Sequence, residues 1–133
     1  MTRYFTCFAS ACDLVRQPQG AVVRRIEEVG EETICTSIIV AAELRFRAEK
    51  SDSDKLVDRV NKILSAIDIL PLESPEDREY GKLGYYLSRR GTLIGPNDML
   101  IAAQALSLGL IVVTANIGEF SRVPGLIVEN WLT

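Results

Sequence analysis

Apolar residues recur along this chain in two rhythms. At helical spacing stand Val22, Val23, Ile26 and Val29, and later Leu56, Val57, Val60, Ile63, Leu64 and Ile67. Such spacing gathers apolar side chains on one helix face. It predicts helices over residues 19–29 and 54–66. Between them, residues 33–37 form a short β-branched run that predicts a buried strand, and residues 38–50 begin apolar and end charged, as a helix that leaves the core would. Residues 110–114 give the clearest strand, with shorter ones at 3–8, 69–72 and 126–129; residues 9–15 read as a short helix.

The punctuation agrees with this division. Pro18 opens the helix that Gly30 closes, and residues 51–54 are a polar break. Ser74-Pro75-Glu76-Asp77 reads as a capping Ser, a Pro at the first helical position and acids in the first turn, starting a helix that runs to about Arg90. Asn97 is expected to cap a helix over 98–108 that Gly109 ends. Residues 91–96 and 116–120 are left as connections. Strands alternating with helices predict an α/β fold, with a mostly parallel sheet of four to five strands between helices. There is no internal repeat, low-complexity run or linker, so residues 1–133 are expected to form one domain. In such sheets the functional residues stand beyond the carboxyl ends of the strands.

Composition narrows the chemistry. The 133 residues are 47% hydrophobic and 25% charged, enough for a core without disulfides or a structural metal. A net charge of -3 argues against binding nucleic acid through bulk positive charge, although divalent cations in an acidic cleft reverse the local field. The chain contains no histidine, which excludes Ser-His-Asp and Cys-His catalysis and most zinc chemistry. Cys7, Cys12 and Cys35 are odd in number and form no C-x-x-C pair, as expected of reduced thiols in a cytoplasmic protein. No signal peptide or membrane span is expected.

Three places carry candidate chemistry. Glu43 interrupts an apolar run one helical turn past the strand at 33–37. It either faces the functional edge or sits in water beside Arg47 at i+4. Asp98 opens a helix that is apolar for the next five residues. It is either a dipole-favoured first-turn acid or, with Asn97 already at the cap, a group that needs another partner such as a cation. Thr114, Asn116 and Glu119 follow the strongest strand, at the functional edge or in an ordinary turn. Taken together, hard oxygen ligands at an open α/β edge suit Mg²⁺ or Mn²⁺. Such a site can activate water and stabilise a phosphodiester transition state.

Longer stretches around these residues resemble a known family. Ile94-Gly95-Pro96-Asn97-Asp98, Leu100-Ile101-Ala102-Ala103, Val113-Thr114-Ala115-Asn116, Glu119-Phe120-Ser121-Arg122-Val123-Pro124-Gly125-Leu126 and Glu129-Asn130-Trp131 are similar to the C-terminal half of VapC-type PIN-domain toxins. Thr36-Ser37 with Ala42-Glu43-Leu44-Arg45-Phe46 resembles that family's second motif. The resemblance runs from about Asp13 to the end. It implies a PIN fold and Mg²⁺- or Mn²⁺-dependent RNA cleavage by the toxin of a toxin–antitoxin pair. It further implies a VapB-type antitoxin as partner, and commonly a homodimer. Under it Glu43, Asp98 and Glu119 are catalytic metal ligands, with Asn116, Asn97 and Thr114 supporting them. Arg45 and Arg47 are candidates for RNA contact, against the alternative of a solvated face.

One motif departs from the pattern. The family's first strand ends in Leu-Asp-Thr-Asn, whose Asp is a principal metal ligand. Here Cys7 falls at that Asp, and Phe8 and Ala9 replace the hydroxyl and amide. A thiolate is a poor ligand for Mg²⁺, so reduced activity is expected. Asp13 is a distant candidate to compensate. A second expectation therefore stands beside the first: a PIN-fold protein with impaired catalysis that acts by binding an antitoxin or RNA.

Overall fold

The computed structural model describes residues 2–7, 11–12, 15–17 and 19–132. Five strands form one sheet: β1 (Tyr4–Thr6), β2 (Ile34–Ser37), β3 (Asp68–Leu70), β4 (Ile111–Val113) and β5 (Val128–Glu129). Their order is β3-β2-β1-β4-β5, and every neighbouring pair is parallel. Among the described residues, helices α1 (Ala21–Val29), α2 (Ile38–Lys50), α3 (Asp54–Ala66), α4 (Glu76–Arg89), α5 (Pro96–Leu108) and the single turn α6 (Ile117–Phe120) connect and cover them.

Successive strand residues point to opposite faces, so each short strand feeds two cores. Phe5, Cys35 and Val112, which lie side by side across β1, β2 and β4, join the larger core with Val40, Leu44, Leu64, Leu87 and Phe120. Ile34 and Val113 point the other way, to Val22 and Trp131. Trp131 also packs on Tyr4, stands 5.3 Å from the Arg25 guanidinium and donates from Nε1 to Glu129. All four residues of β2 are buried, as both faces of a parallel sheet require.

Several boundaries differ from the sequence reading for identifiable reasons. A 3-10 turn (Glu31–Thr33) occupies the position where the strand at 33–37 was expected to begin. There Thr33 donates its hydroxyl to Gly30 O instead of entering the sheet. β3 ends at Leu70 because Pro71 has no N–H to offer a ladder. Ser74 does not cap α4: Pro75 holds the cap position, one residue later than expected, and no side chain caps this helix. Nor does Asn97 cap α5. Gly95 is the cap residue and Pro96 takes the first helical position, where its fixed φ suits it, which leaves Asn97 inside the first turn. At the other end Gly109 adopts φ 66°, the left-handed cap that glycine permits. Of the helix expected at 9–15, Ala11, Cys12 and Val15 are helical, while residues 9, 10, 13 and 14 lie outside the described residues.

Candidate active site

β1 and β4 are neighbours at the centre of the sheet, and the chain leaves them towards opposite edges. The crevice beyond the carboxyl ends of two such strands is the ligand position of open α/β sheets. Cys7 continues β1 into it, and its N–H still donates to Val113 O at 2.9 Å. Thr114 continues β4, its N–H donating to Glu129 O at 2.9 Å. The Thr114 hydroxyl accepts from the Asn116 N–H at 3.0 Å, which turns the chain into α6.

α6 points Glu119 back across the crevice. One oxygen, Oε1, accepts from the Gly95 N–H at 2.7 Å, and the other accepts from Asn116 Nδ2. These donors, the Gly95 amide first, hold the Glu119 carboxyl below the ordinary range, with smaller help from Asp98 and Arg122. Asp98 stands in the first turn of α5, where the helix dipole favours an anion. Its surroundings overrule that preference. Burial first, then the charge and hydrogen bond of Glu119, then the charge of Glu43 push Asp98 up to about 6. A Cβ on Gly95 would lie 3.7 Å from Glu119 Oε1 and 3.9 Å from Asp98 Oδ2, so both carboxyls meet at one backbone position.

Glu43 reaches the site from α2, whose start Ser37 caps by accepting from the Ile39 N–H at 3.1 Å. Glu43 is half-buried, and that burial raises its pKa. Cys7 completes the group. It is buried, and burial, then the charges of Asp98 and Glu43, push its thiol far above the ordinary range, against a smaller opposite pull from the Thr114 hydroxyl. The residue at the end of the central strand is therefore a neutral S–H facing carboxylates.

The structure thus brings Asp98, Glu119, Asn116, Thr114 and Glu43 to one edge. Asn97 is exposed and makes no side-chain hydrogen bond among the described residues. Arg45 points away from the crevice, donating to Asn61 Oδ1 of α3 at 2.6 Å. Arg47 stays on the Glu43 side and lines a cavity with it. Asp13 lies outside the described residues. Sequence reasoning missed the Gly95 N–H, because a backbone donor leaves no signature in residue type.

A hard divalent cation fits this donor set in a reduced form. Asp98 and Glu119 stand close enough that the charge of Glu119 raises Asp98, a repulsion that a bound cation would relieve. Mg²⁺ is commonly held by one or two carboxylates and keeps waters on its remaining positions, so these two suffice. Cys7 does not fit, being soft and uncharged. Among the described residues no group of three or more acidic or thiol side chains is placed to hold a metal ion.

The PIN domain profile matches residues 13–126. A Haemophilus influenzae protein named Ribonuclease VapC2 is 38% identical over 118 residues, covering 88% of each chain. The tRNA(fMet)-specific endonuclease VapC of Salmonella typhimurium is 34% identical over 110 residues, 82% of this chain and 83% of that one. Among solved structures, a chain of VapBC2 from Rickettsia felis, crystallised with a DNA fragment from the promoter, superposes with a TM-score of 0.91. It is 31% identical, over 98% of this chain and 99% of that one.

Proposed function

This chain belongs to the PIN-domain family, among its VapC ribonucleases, and from that membership we propose that it is the endoribonuclease toxin of a VapBC-type toxin–antitoxin pair. The observation that carries the proposal is the meeting of Asp98 and Glu119, with Glu43 close enough to act on Asp98, at the carboxyl ends of the two central strands. Asp98 and Glu119 would hold Mg²⁺ or Mn²⁺. When bound, the cation polarises the phosphate and lowers the pKa of water beside it.

The chain's own residues prepare that site. The Gly95 N–H and Asn116 Nδ2 fix both oxygens of Glu119, so the carboxylate is held in place before any ligand arrives. Thr114 orders Asn116 through its backbone amide. Burial and the charge of Glu119 favour the neutral form of Asp98, a preference that a bound cation would oppose. Glu43 adds negative charge on the α2 side of the crevice.

The setting is part of the same proposal. A VapB-type antitoxin is the partner, the location is cytoplasmic, and the free toxin forms a homodimer. No helix among the described residues is long and apolar enough to cross a membrane. The substrate is RNA, and tRNA(fMet), named for the Salmonella relative, is the first to try.

Cys7 favours a second reading, in which catalysis is impaired and the chain acts by binding antitoxin or RNA. One experiment separates the two. The purified chain, its Cys7→Asp variant and its Asp98→Asn variant are incubated with tRNA(fMet) and with total RNA, in Mn²⁺ or in chelator. Metal-dependent cleavage that Asp98→Asn abolishes supports the enzyme. If the unaltered chain cuts nothing while Cys7→Asp does, the impaired reading holds. Cleavage that survives in chelator, or in Asp98→Asn, sinks the site assignment.

A further inference from the structure

On α2, Glu43, Phe46, Arg47 and Lys50 are spaced i, i+3, i+4 and i+7, which puts them in one stripe along the helix. The opposite face, with Val40, Ala41, Leu44 and Ala48, is buried in the core. Phe46 is out of place on the outer stripe: it is 69% exposed, the most open of the large apolar residues among those described. Lys50 enters no ion pair among the described residues. Together with Ser51 the four line a cavity of about 490 Å³. That is within the usual range for small-ligand sites, about 300–1,000 Å³.

We propose that this cavity is an RNA subsite, in which Phe46 stacks on a base next to the scissile phosphate and Lys50 pairs with the following phosphate. The inference rests on the ribonuclease reading, because Glu43 belongs to both the crevice and the cavity. RNA whose phosphate lies at Asp98 and Glu119 must leave the crevice somewhere, and Glu43, whose charge reaches Asp98, also lines this cavity. An exposed aromatic ring flanked by cations is the chemistry that binds single-stranded nucleic acid. The helix rise places Lys50 about 10 Å beyond Glu43, so ring and ammonium lie in sequence along one exit path. Arg45, three residues before Ala48, is turned to Asn61 on the other side and takes no part. Because every base has a π-face, the subsite adds affinity and not sequence preference.

The test uses the full chain with Phe46→Ala, Phe46→Trp and Lys50→Ala variants. Binding of a short fluorescein-labelled single-stranded RNA is read by anisotropy in chelator, so that no cleavage is needed. Phe46→Ala should weaken binding roughly ten-fold with unchanged Tm, and Phe46→Trp should restore it. In Phe46→Trp the added indole fluorescence should be quenched by RNA. Lys50→Ala should lower the slope of log affinity against log salt by about 0.7. Where cleavage is measurable, Phe46→Ala should raise KM for unrelated RNAs alike and leave kcat within two-fold, roughly. Unchanged RNA affinity in Phe46→Ala overturns the proposal, even if the chain is an active ribonuclease. So does a variant that binds RNA normally but loses its antitoxin, since the stripe would then be a protein-docking face. If no version of the chain cleaves RNA and Phe46→Ala still weakens binding, the subsite stands and the catalytic reading alone fails.

Discussion

Asp98 and Glu119, twenty-one positions apart, meet across the crevice and are pushed in opposite directions: Asp98 rises to about 6, while Glu119, whose carboxylate accepts from the Gly95 N–H and Asn116 Nδ2, is held below the ordinary range. The asymmetry has a simple cause. Glu119 has donors around it that favour its ionised form, whereas Asp98 bears the cost of burial first and of the close approach second.

Metal affinity should therefore follow the titration of Asp98. Asp98 is pushed up to about 6, so Mn²⁺ binding competes with a proton below that value and not above it. Calorimetric titrations from about pH 5 to about pH 7.5 should show affinity rising and then levelling, with proton release at the acid end. Affinity independent of pH across that range would mean Asp98 is not a ligand.

The same shift has a consequence for stability. The folded-state pKa of Asp98 is raised from 3.8 to about 6, so the folded chain binds the proton more tightly than the unfolded one. Between those values stability contributed by this group falls as pH rises, and above the folded value the penalty is complete. Asp98→Asn, which keeps a donor towards Glu119, should raise Tm by a few degrees near pH 7.5 and by less near about pH 4.5. A variant that melts lower at neutral pH would contradict this. The gain would come at a site that catalysis needs.

Replacing Cys7 by Asp should increase Mn²⁺-dependent cleavage by about ten-fold or more, because it supplies a hard anionic ligand where a neutral thiol now sits. Without metal the new carboxylate joins Asp98 and Glu43 in a buried place, so Tm in chelator should fall and recover on adding Mn²⁺. Cys7→Ser, which stays neutral, should change neither. Equal activity in the unaltered chain and the Cys7→Asp variant would mean that another group serves the metal.

Away from the site, Gln104 is fully buried in α5 and donates to Leu70 O at 3.3 Å and Pro71 O at 3.0 Å. It ties α5 to the end of β3 through these two carbonyls. Gln104→Ala should cost about 1–3 kcal/mol in denaturant unfolding, with RNA cleavage retained in the folded fraction. A cost near zero would show that water replaces the amide.

Much of this was legible in the residues. The helical faces of Ile63 and Leu64 or Val22 and Ile26, and the strand at Val112, follow from spacing alone, since periodic burial is what the sheet and helices require. That Asp98 and Glu119 face each other, with Glu43 near enough for its charge to act on Asp98, was approached through where polar residues follow strands. Caps were harder. Ser74 and Asn97 have the right chemistry, yet Pro75 and Gly95 hold the cap positions, because a neighbouring proline decides where a helix starts. Backbone donors such as the Gly95 N–H are identical in every residue and cannot be read from a list of side chains. The outer stripe of α2 was readable in spacing, but only exposure marks Phe46 as misplaced among polar neighbours.

The sheet closes on very short margins: β5 has two residues and β3 three, with Pro71 just beyond. Unpaired strand edges recruit other chains, and brevity and proline are two ways of preventing it. Parallel sheets are slow to assemble and expose their edges while they do. A chain whose outermost strands offer so few hydrogen bonds gives its own copies little to grip during synthesis.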